Sequence, residues 1–99
     1  MSPFALPAFN AQLQALAAQP APRFVVFTSS WCPDCVRATP AVRQAVARSG
    51  GSLLEVDVGD RGEWRDATHP LRKDPTLRLT GVPTVFKWEA NGPGERLGK

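Results

Sequence analysis

The sequence has few of the residues from which a metal site is usually built. It contains two cysteines, Cys32 and Cys35, and one histidine, His69. A zinc site usually takes four ligands, so a Cys-x-x-Cys pair with no third cysteine supplies half a site. We therefore expect no metal ion and no bound cofactor.

Long apolar runs are also missing from the sequence. None approaches the ~20 residues that span a bilayer, so no membrane partner is expected. The N-terminal stretch MSPFALPAFNAQLQALAAQP has no basic residue before its apolar part and carries Pro3 and Pro7, which makes it a poor secretory signal. These absences predict a cytoplasmic location, where a lone Cys-x-x-Cys pair is not expected to form a permanent structural disulfide.

Positive charge is not concentrated in any part of the sequence. Twelve Lys and Arg residues stand against nine Asp and Glu, and the two signs are mixed, as in Asp60-Arg61 and Lys73-Asp74. Nucleic-acid binding usually needs clustered basic residues, so no nucleic-acid partner is expected. The length of 99 residues and the 42% hydrophobic content predict a single domain over 1–99, with disorder at 1–7.

The spacing of apolar residues predicts alternating helices and strands. The predicted helices lie at 8–18, from the cysteine pair to 49, at 63–67 and, as helix or irregular structure, at 70–73. The predicted strands lie at 23–28, 52–58, 84–88 and 95–98, the last two joined by a turn at 90–94. We expect Ser2 or Asn10 to cap the first helix and Pro40 to kink the second. This order predicts an α/β domain with a mixed four-stranded sheet flanked by helices, and a first strand buried on both faces.

The cysteine pair lies where a strand gives way to a helix. A thiol attacks a disulfide as its thiolate, and the positive end of a helix dipole stabilises that anion, so Cys32 is expected to be activated. Cys35 follows almost one helical turn later on the same side, close enough to resolve a mixed disulfide. Pro33 suits the first helical position, whereas the carboxylate of Asp34 is expected to oppose formation of the thiolate.

Several neighbouring features have two interpretations. Trp31 either shields one side of the thiols or only packs, and His69 is expected at the surface in preference to a catalytic role. An incidental pair of buried cysteines is disfavoured, because the tryptophan, the proline and the helix start all favour thiol chemistry at this position.

The segment Gly81-Val82-Pro83-Thr84 is a second feature of the sequence. Its proline begins a strand, and a cis peptide bond there would expose a neighbouring backbone edge.

Three segments together carry a resemblance to a known family: WCPDCVRATP, VGDR at 58–61 with Trp64 following, and PLRK with LRLTGVPT. They resemble the thioredoxin superfamily and, within it, the family of the thioredoxin-related protein of 14 kDa (thioredoxin domain-containing protein 17), called Clot in plants. The match covers about residues 9–98. The resemblance implies a thioredoxin-like fold in which Cys32 attacks, Cys35 resolves, and a cis Pro83 faces the cysteines. It also implies that Val82 offers backbone hydrogen bonds to a bound disulfide. Asp60 and Arg61 would then belong to a loop near the site, and an ordinary turn at the end of a strand explains them equally well.

The resemblance implies a cytosolic disulfide reductase. Such proteins act on small disulfides such as cystine and on selected protein disulfides, and in animals thioredoxin reductase restores their dithiol with electrons from NADPH. We therefore expect a disulfide substrate and thioredoxin reductase or another electron donor as partners. Two alternatives stay open, namely a glutathione-driven, glutaredoxin-like reductase and a binding module in which the disulfide is a redox switch.

The sequence departs from the family's pattern in three places. The linker Ser29-Ser30 is shorter than the family's insertion. Val26 stands where typical thioredoxins have a buried carboxylate, which leaves water, Asp57, Asp60 or Asp34 to accept the proton of Cys35. The sequence stops at Lys99, where the family continues into a last amphipathic helix, and its absence would expose apolar surface. This absence predicts weak stability, a dimer in place of a monomer, or a truncated sequence.

Overall fold

Helices and strands alternate along the chain in the computed structural model, which describes residues 3–90 and 92–98. The helices are α1 (Leu6–Ala17), α2 (Pro33–Ser49), α3 (Arg61–Arg65) and α4 (Pro70–Lys73). The strands are β1 (Arg23–Thr28), β2 (Ser52–Asp57), β3 (Thr84–Glu89) and β4 (Gly92–Gly98).

The four strands form one mixed sheet in the order β2-β1-β3-β4. Strands β1 and β2 are parallel and are joined through α2, while β3 is antiparallel to both β1 and β4. The predicted mixed sheet is therefore confirmed. Because β1 and β3 run in opposite directions, Phe27 near the end of β1 pairs with Thr84 at the start of β3. The segments that follow β1 and precede β3 consequently meet at one edge of the sheet.

The centre of the core is β1. Val25, Val26 and Phe27 are all buried, which confirms that this strand is covered on both faces. The ring of Phe27 lies 5.8 Å from that of Phe9 in α1 and 6.1 Å from that of Phe86 in β3. These aromatic contacts fix α1 against the strand that leads into the cysteine pair.

The first helix begins earlier than the sequence predicts. Ala5 is its N-cap residue, so the cap assigned to Asn10 is wrong, and Ser2 lies outside the described residues. Disorder was predicted for 1–7, but the Phe4 backbone N–H donates to Glu63 Oε2 at 2.9 Å, and its ring lies 4.9 Å from that of His69. Long-range packing therefore orders the chain from Phe4 onward.

Two other elements also begin earlier than the sequence predicts. Helix α3 begins at Arg61, two residues early, and β4 begins at Gly92, so the turn predicted at 90–94 ends sooner. Gly92 has a φ of 133°, a conformation that side chains disfavour, and a Cβ on Gly94 would lie 2.7 Å from the Glu89 side chain. The glycines that suggested a turn instead allow close strand pairing. Helix α2 includes Pro40, and the kink expected there stays a prediction.

An apolar groove of about 240 Å³ lies between α2 and the sheet, lined by Phe24, Val42, Ala45, Val46, Val85 and Leu97. Leu97 keeps 50% of its surface exposed. Exposed apolar surface was expected, and the groove agrees with that expectation. Weak stability or dimer formation stays a prediction. No helix within the described ranges combines the length and the apolar character that crossing a bilayer requires.

Candidate active site

The strand-to-helix junction positions Cys32. This residue is the N-cap of α2 and has extended backbone angles (φ −97°, ψ 117°), while its carbonyl oxygen accepts the first helical hydrogen bond, from Val36 N, at 3.0 Å. Pro33 occupies the first helical position, as predicted. The Cys32 thiol is half-buried and lies 3.8 Å from the carbonyl oxygen of Val82, to which it donates. The fold thus joins two segments fifty residues apart in sequence.

The surroundings of Cys32 lower the pKa of its thiol. Burial opposes the thiolate, but hydrogen bonds from the backbone N–H and the thiol of Cys35 and from the backbone N–H of Asp34 stabilise it and outweigh that opposition. The negative charge of Asp34 acts in the opposite sense and raises the pKa. Helix-start donors therefore lower the pKa of Cys32, which is the direction that the sequence predicts.

The surroundings of Cys35 have the reverse effect. The residue is completely buried, and burial together with its hydrogen bond to Cys32 raises the pKa of its thiol. Hydrogen bonds from Thr28 and Ser29 offset part of this rise, and Ser29 Oγ lies 3.7 Å from Cys35 Sγ. The pKa values of the two cysteines are thus shifted in opposite directions, downward for the accessible thiol and upward for the buried one.

A polar cleft of about 530 Å³ opens beside Cys35. Its wall includes Asp57, at the end of β2, together with Thr28 and Thr39, whose hydroxyl oxygens are 2.9 Å apart. The Asp57 carboxylate accepts a hydrogen bond from Gly59 N at 2.8 Å. Of the three carboxylates that the sequence offered as proton acceptors for Cys35, Asp57 is the one that lines this cleft.

The other two carboxylates have different partners. Asp34 is exposed and pairs with Arg37 on the next turn of α2. Asp60 accepts a hydrogen bond from Glu63 N at 2.7 Å and so caps α3. Asp60 therefore stabilises the start of α3. Asp34 affects Cys32 through its negative charge.

Trp31 connects the cysteine pair to the loop after β2. Its Nε1 donates to the carbonyl oxygen of Gly59 at 2.8 Å, and the Arg61 guanidinium lies 5.4 Å from the centre of its ring. Trp31 also packs against the buried core. Trp31 thus packs on the core, and its shielding of the thiols stays a prediction.

The backbone before β3 forms the opposite wall of the site. The peptide bond between Val82 and Pro83 is cis, and Val82 is buried. Thr84 Oγ1 donates to the carbonyl oxygen of Gly81 at 2.6 Å, which fixes the bend. The Gly-Val-Pro-Thr segment and the Cys-x-x-Cys segment thus face each other across the sheet edge.

His69 does not lie at the surface, and that prediction is wrong. It is 3% exposed, its Nε2 lies 2.9 Å from the carbonyl oxygen of Val58, and its Nδ1 accepts from Leu71 N at 3.1 Å. The ring lies between that of Phe4, to which it is tilted by 37°, and that of Trp64, which it meets edge-on at 78°. Its position just before the proline that opens α4 was the one sequence signal for this capping role.

Sequence reasoning also missed the hydroxyl groups around Cys35. Thr39 shares a helical face with Cys35, four residues on, and that spacing was the available signal for its position. Nothing in the local sequence indicated that Thr28 would meet Thr39 or that Ser29 would be buried. Among the described residues, no three His, Cys, Asp or Glu side chains lie close enough together to hold a metal ion.

Comparison with known proteins agrees with this architecture. A family model described as thioredoxin domain-containing protein 17-like, thioredoxin domain, matches residues 7–98. The chain belongs to this family. The thioredoxin-like fold and the resemblance drawn from the three sequence segments are thereby confirmed, and membership indicates thiol redox chemistry.

Three relatives illustrate the range of similarity. The chain is 47% identical over 75 residues to the thioredoxin-like protein Clot of Oryza sativa subsp. japonica, covering 70% of this chain and 54% of the relative. It is 44% and 39% identical over 61 residues to thioredoxin domain-containing protein 17 of Danio rerio and Homo sapiens, covering 60% of this chain and 48% of each relative. The chain thus spans about half the length of these curated relatives.

Proposed function

We propose that this protein is a cytoplasmic thiol–disulfide oxidoreductase that reduces disulfides in small molecules or in selected proteins. The observation that carries the proposal is the opposite perturbation of two adjacent thiols. The pKa of Cys32, which is partly accessible, lies below its ordinary value, and that of buried Cys35 lies above it. This pairing provides a more acidic thiol for the attack and a less acidic thiol for the second step within one turn of helix.

In the first step, the Cys32 thiolate attacks one sulfur of the substrate disulfide. A new S–S bond joins Cys32 to that half of the substrate, and the other half leaves as a thiolate that takes a proton from solvent. The Val82 carbonyl, 3.8 Å from Cys32 Sγ, supports binding of substrate backbone at this edge. Trp31 covers the side of the site toward Gly59.

In the second step, Cys35 loses its proton and attacks Cys32 Sγ. The mixed disulfide breaks, the remaining half of the substrate leaves as a thiolate, and a Cys32–Cys35 disulfide forms. The substrate gains two electrons and the protein loses two. Asp57, in the cleft beside Cys35, supports a route for the departing proton. An external reductase, such as thioredoxin reductase with NADPH, then restores the dithiol.

The proposal is tested by measuring NADPH consumption with thioredoxin reductase, using cystine and insulin as disulfides. The wild type should turn over cystine. Cys32→Ser should abolish turnover because no nucleophile remains, and Cys35→Ser should stop after one attack and accumulate a mixed disulfide detectable by mass spectrometry. Circular dichroism checks that both serine variants fold.

Failure would take a specific form. If the folded, reduced wild type consumes no NADPH and also forms no Cys32–Cys35 disulfide on mixing with cystine, the proposed chemistry is wrong. If it oxidises on mixing but is not restored by thioredoxin reductase, only the electron donor is wrong, and turnover with glutathione is the next measurement. Partner binding that persists when both cysteines are serine would instead favour a binding module.

A further inference from the structure

Arg61 lies against the residue that precedes Cys32. Its guanidinium carbon is 5.4 Å from the centre of the Trp31 ring, and its Nη2 donates to the Trp31 carbonyl oxygen at 3.3 Å. That carbonyl belongs to the planar peptide unit that joins Trp31 to Cys32. A positive charge therefore stands one peptide unit from the backbone of the nucleophile.

No ion pair neutralises this charge within residues 3–90 and 92–98. Arg61 is exposed, and the two ion pairs found in that part of the chain do not include it. The neighbouring carboxylate of Asp60 is directed at Glu63 N, 2.7 Å away, at the start of α3. A guanidinium has five N–H donors, and the Trp31 carbonyl occupies one of them. Arg61 thus keeps donors for a ligand while the tryptophan holds it beside the site.

We infer that Arg61 is an anion subsite next to Cys32, which makes the protein prefer disulfides that carry a carboxylate near the sulfur. This inference rests on the proposed function and specifies its substrate class. Guanidinium groups recognise carboxylates through paired, charge-assisted hydrogen bonds. A carboxylate two or three carbon atoms from the attacked sulfur lies within reach of a side chain anchored to the adjacent residue. Neutral and cationic disulfides gain nothing from this contact.

The charged side chains near the start of α2 do not provide the same subsite. Arg37 is engaged by Asp34, so that pair is close to neutral as a unit. Arg48 lies in the last turn of α2, about 22 Å along the helix axis from the first turn. Arg48 therefore offers a matched control, since its replacement removes one positive charge far from the thiols.

The test uses the reduced 99-residue chain without any reductase, so that only its own reaction with a disulfide is measured. Three disulfides of similar size are mixed with it: dithiodipropionate with two carboxylates, hydroxyethyl disulfide without charge, and cystamine with two ammonium groups. Acid quenching and mass spectrometry give the rate constant of oxidation. The proteins compared are wild type, Arg61→Gln, Arg61→Lys and Arg48→Gln.

We expect Arg61→Gln to slow the reaction with dithiodipropionate about threefold to fivefold, the upper part of the range of exposed ion pairs. The rate with hydroxyethyl disulfide should not change, and that with cystamine should rise. Arg61→Lys should retain most of the preference because it keeps the charge, and Arg48→Gln should behave as wild type. High salt should remove the preference by screening.

Three outcomes would overturn the inference. Equal slowing of all three disulfides by Arg61→Gln would mean that the residue only holds Trp31 or alters the reactivity of Cys32. A wild type that oxidises equally fast with all three disulfides would refute the anion subsite and leave the proposed function intact. A wild type that reacts with none of them would refute both.

Discussion

Replacing Asp34 by Asn should increase the reactivity of Cys32. The structure sets two opposing contributions at this thiol, because hydrogen bonds from the α2 start lower its pKa and the Asp34 charge raises it. Arg37 pairs with Asp34 and partly neutralises that charge. Removing the carboxylate removes the repulsion and leaves Arg37 unpaired, so both consequences favour the Cys32 thiolate.

The size of the effect follows from Coulomb's law. Two unit charges ~6–8 Å apart in water interact by about 0.5–0.7 kcal/mol, which corresponds to about a twofold to threefold increase in thiolate at a pH below the midpoint. Nucleophilicity falls as a thiol becomes more acidic, and this offsets part of the gain. The net rate of alkylation by iodoacetamide should therefore rise about 1.5-fold to twofold.

The assay is the pH dependence of Cys32 alkylation in the reduced protein, with ultraviolet absorbance of the thiolate as a second readout that nucleophilicity does not affect. Asp34→Asn should move both midpoints to lower pH, and Arg37→Gln, which leaves the Asp34 charge unpaired, should move them to higher pH. Glu95→Gln on the edge strand β4 is the control for a general loss of negative charge. Shifts of Asp34→Asn and Arg37→Gln in the same direction, or no shift in either, would refute the assignment.

Two further predictions concern stability. His69→Ala should lower the free energy of unfolding by about 2 kcal/mol or more, because it leaves buried backbone groups of Val58 and Leu71 without their hydrogen-bond partner. An equal melting temperature in wild type and variant would contradict this prediction. The hydrogen bonds from Arg43 lower the pKa of Glu55, and a double-mutant cycle on this mostly exposed pair should give about 0.3–1 kcal/mol. This coupling energy should be complete above the pKa of an unfolded glutamate, and it should disappear as the pH falls through the lower pKa of Glu55 in the folded protein. Denaturant unfolding at several pH values measures the coupling energy. A coupling energy that persists in acid would count against the ion pair.

Local sequence pattern determined the elements that carry the chemistry. The apolar run from Arg23 to Thr28 required a buried strand, and the proline after Cys32 fitted a helix start. The Cys-x-x-Cys spacing then put the second thiol on the same side of that helix. Each of these conclusions depends on residues within a few positions of one another, where backbone geometry alone sets the outcome.

Only the tertiary structure decided which distant groups surround the thiols. The antiparallel pairing of β1 with β3 brings the Val82 carbonyl to Cys32, and α2 packing on β1 brings Thr39 to Thr28. The burial of His69 and the contact of Arg61 with Trp31 likewise depend on where the loop after β2 lies. Periodicity encodes which face of an element is apolar, but it does not encode which neighbour covers that face. The dithiol could therefore be found in the sequence, whereas the groups that set its two pKa values and the charge beside it emerged only from the packing of the sheet.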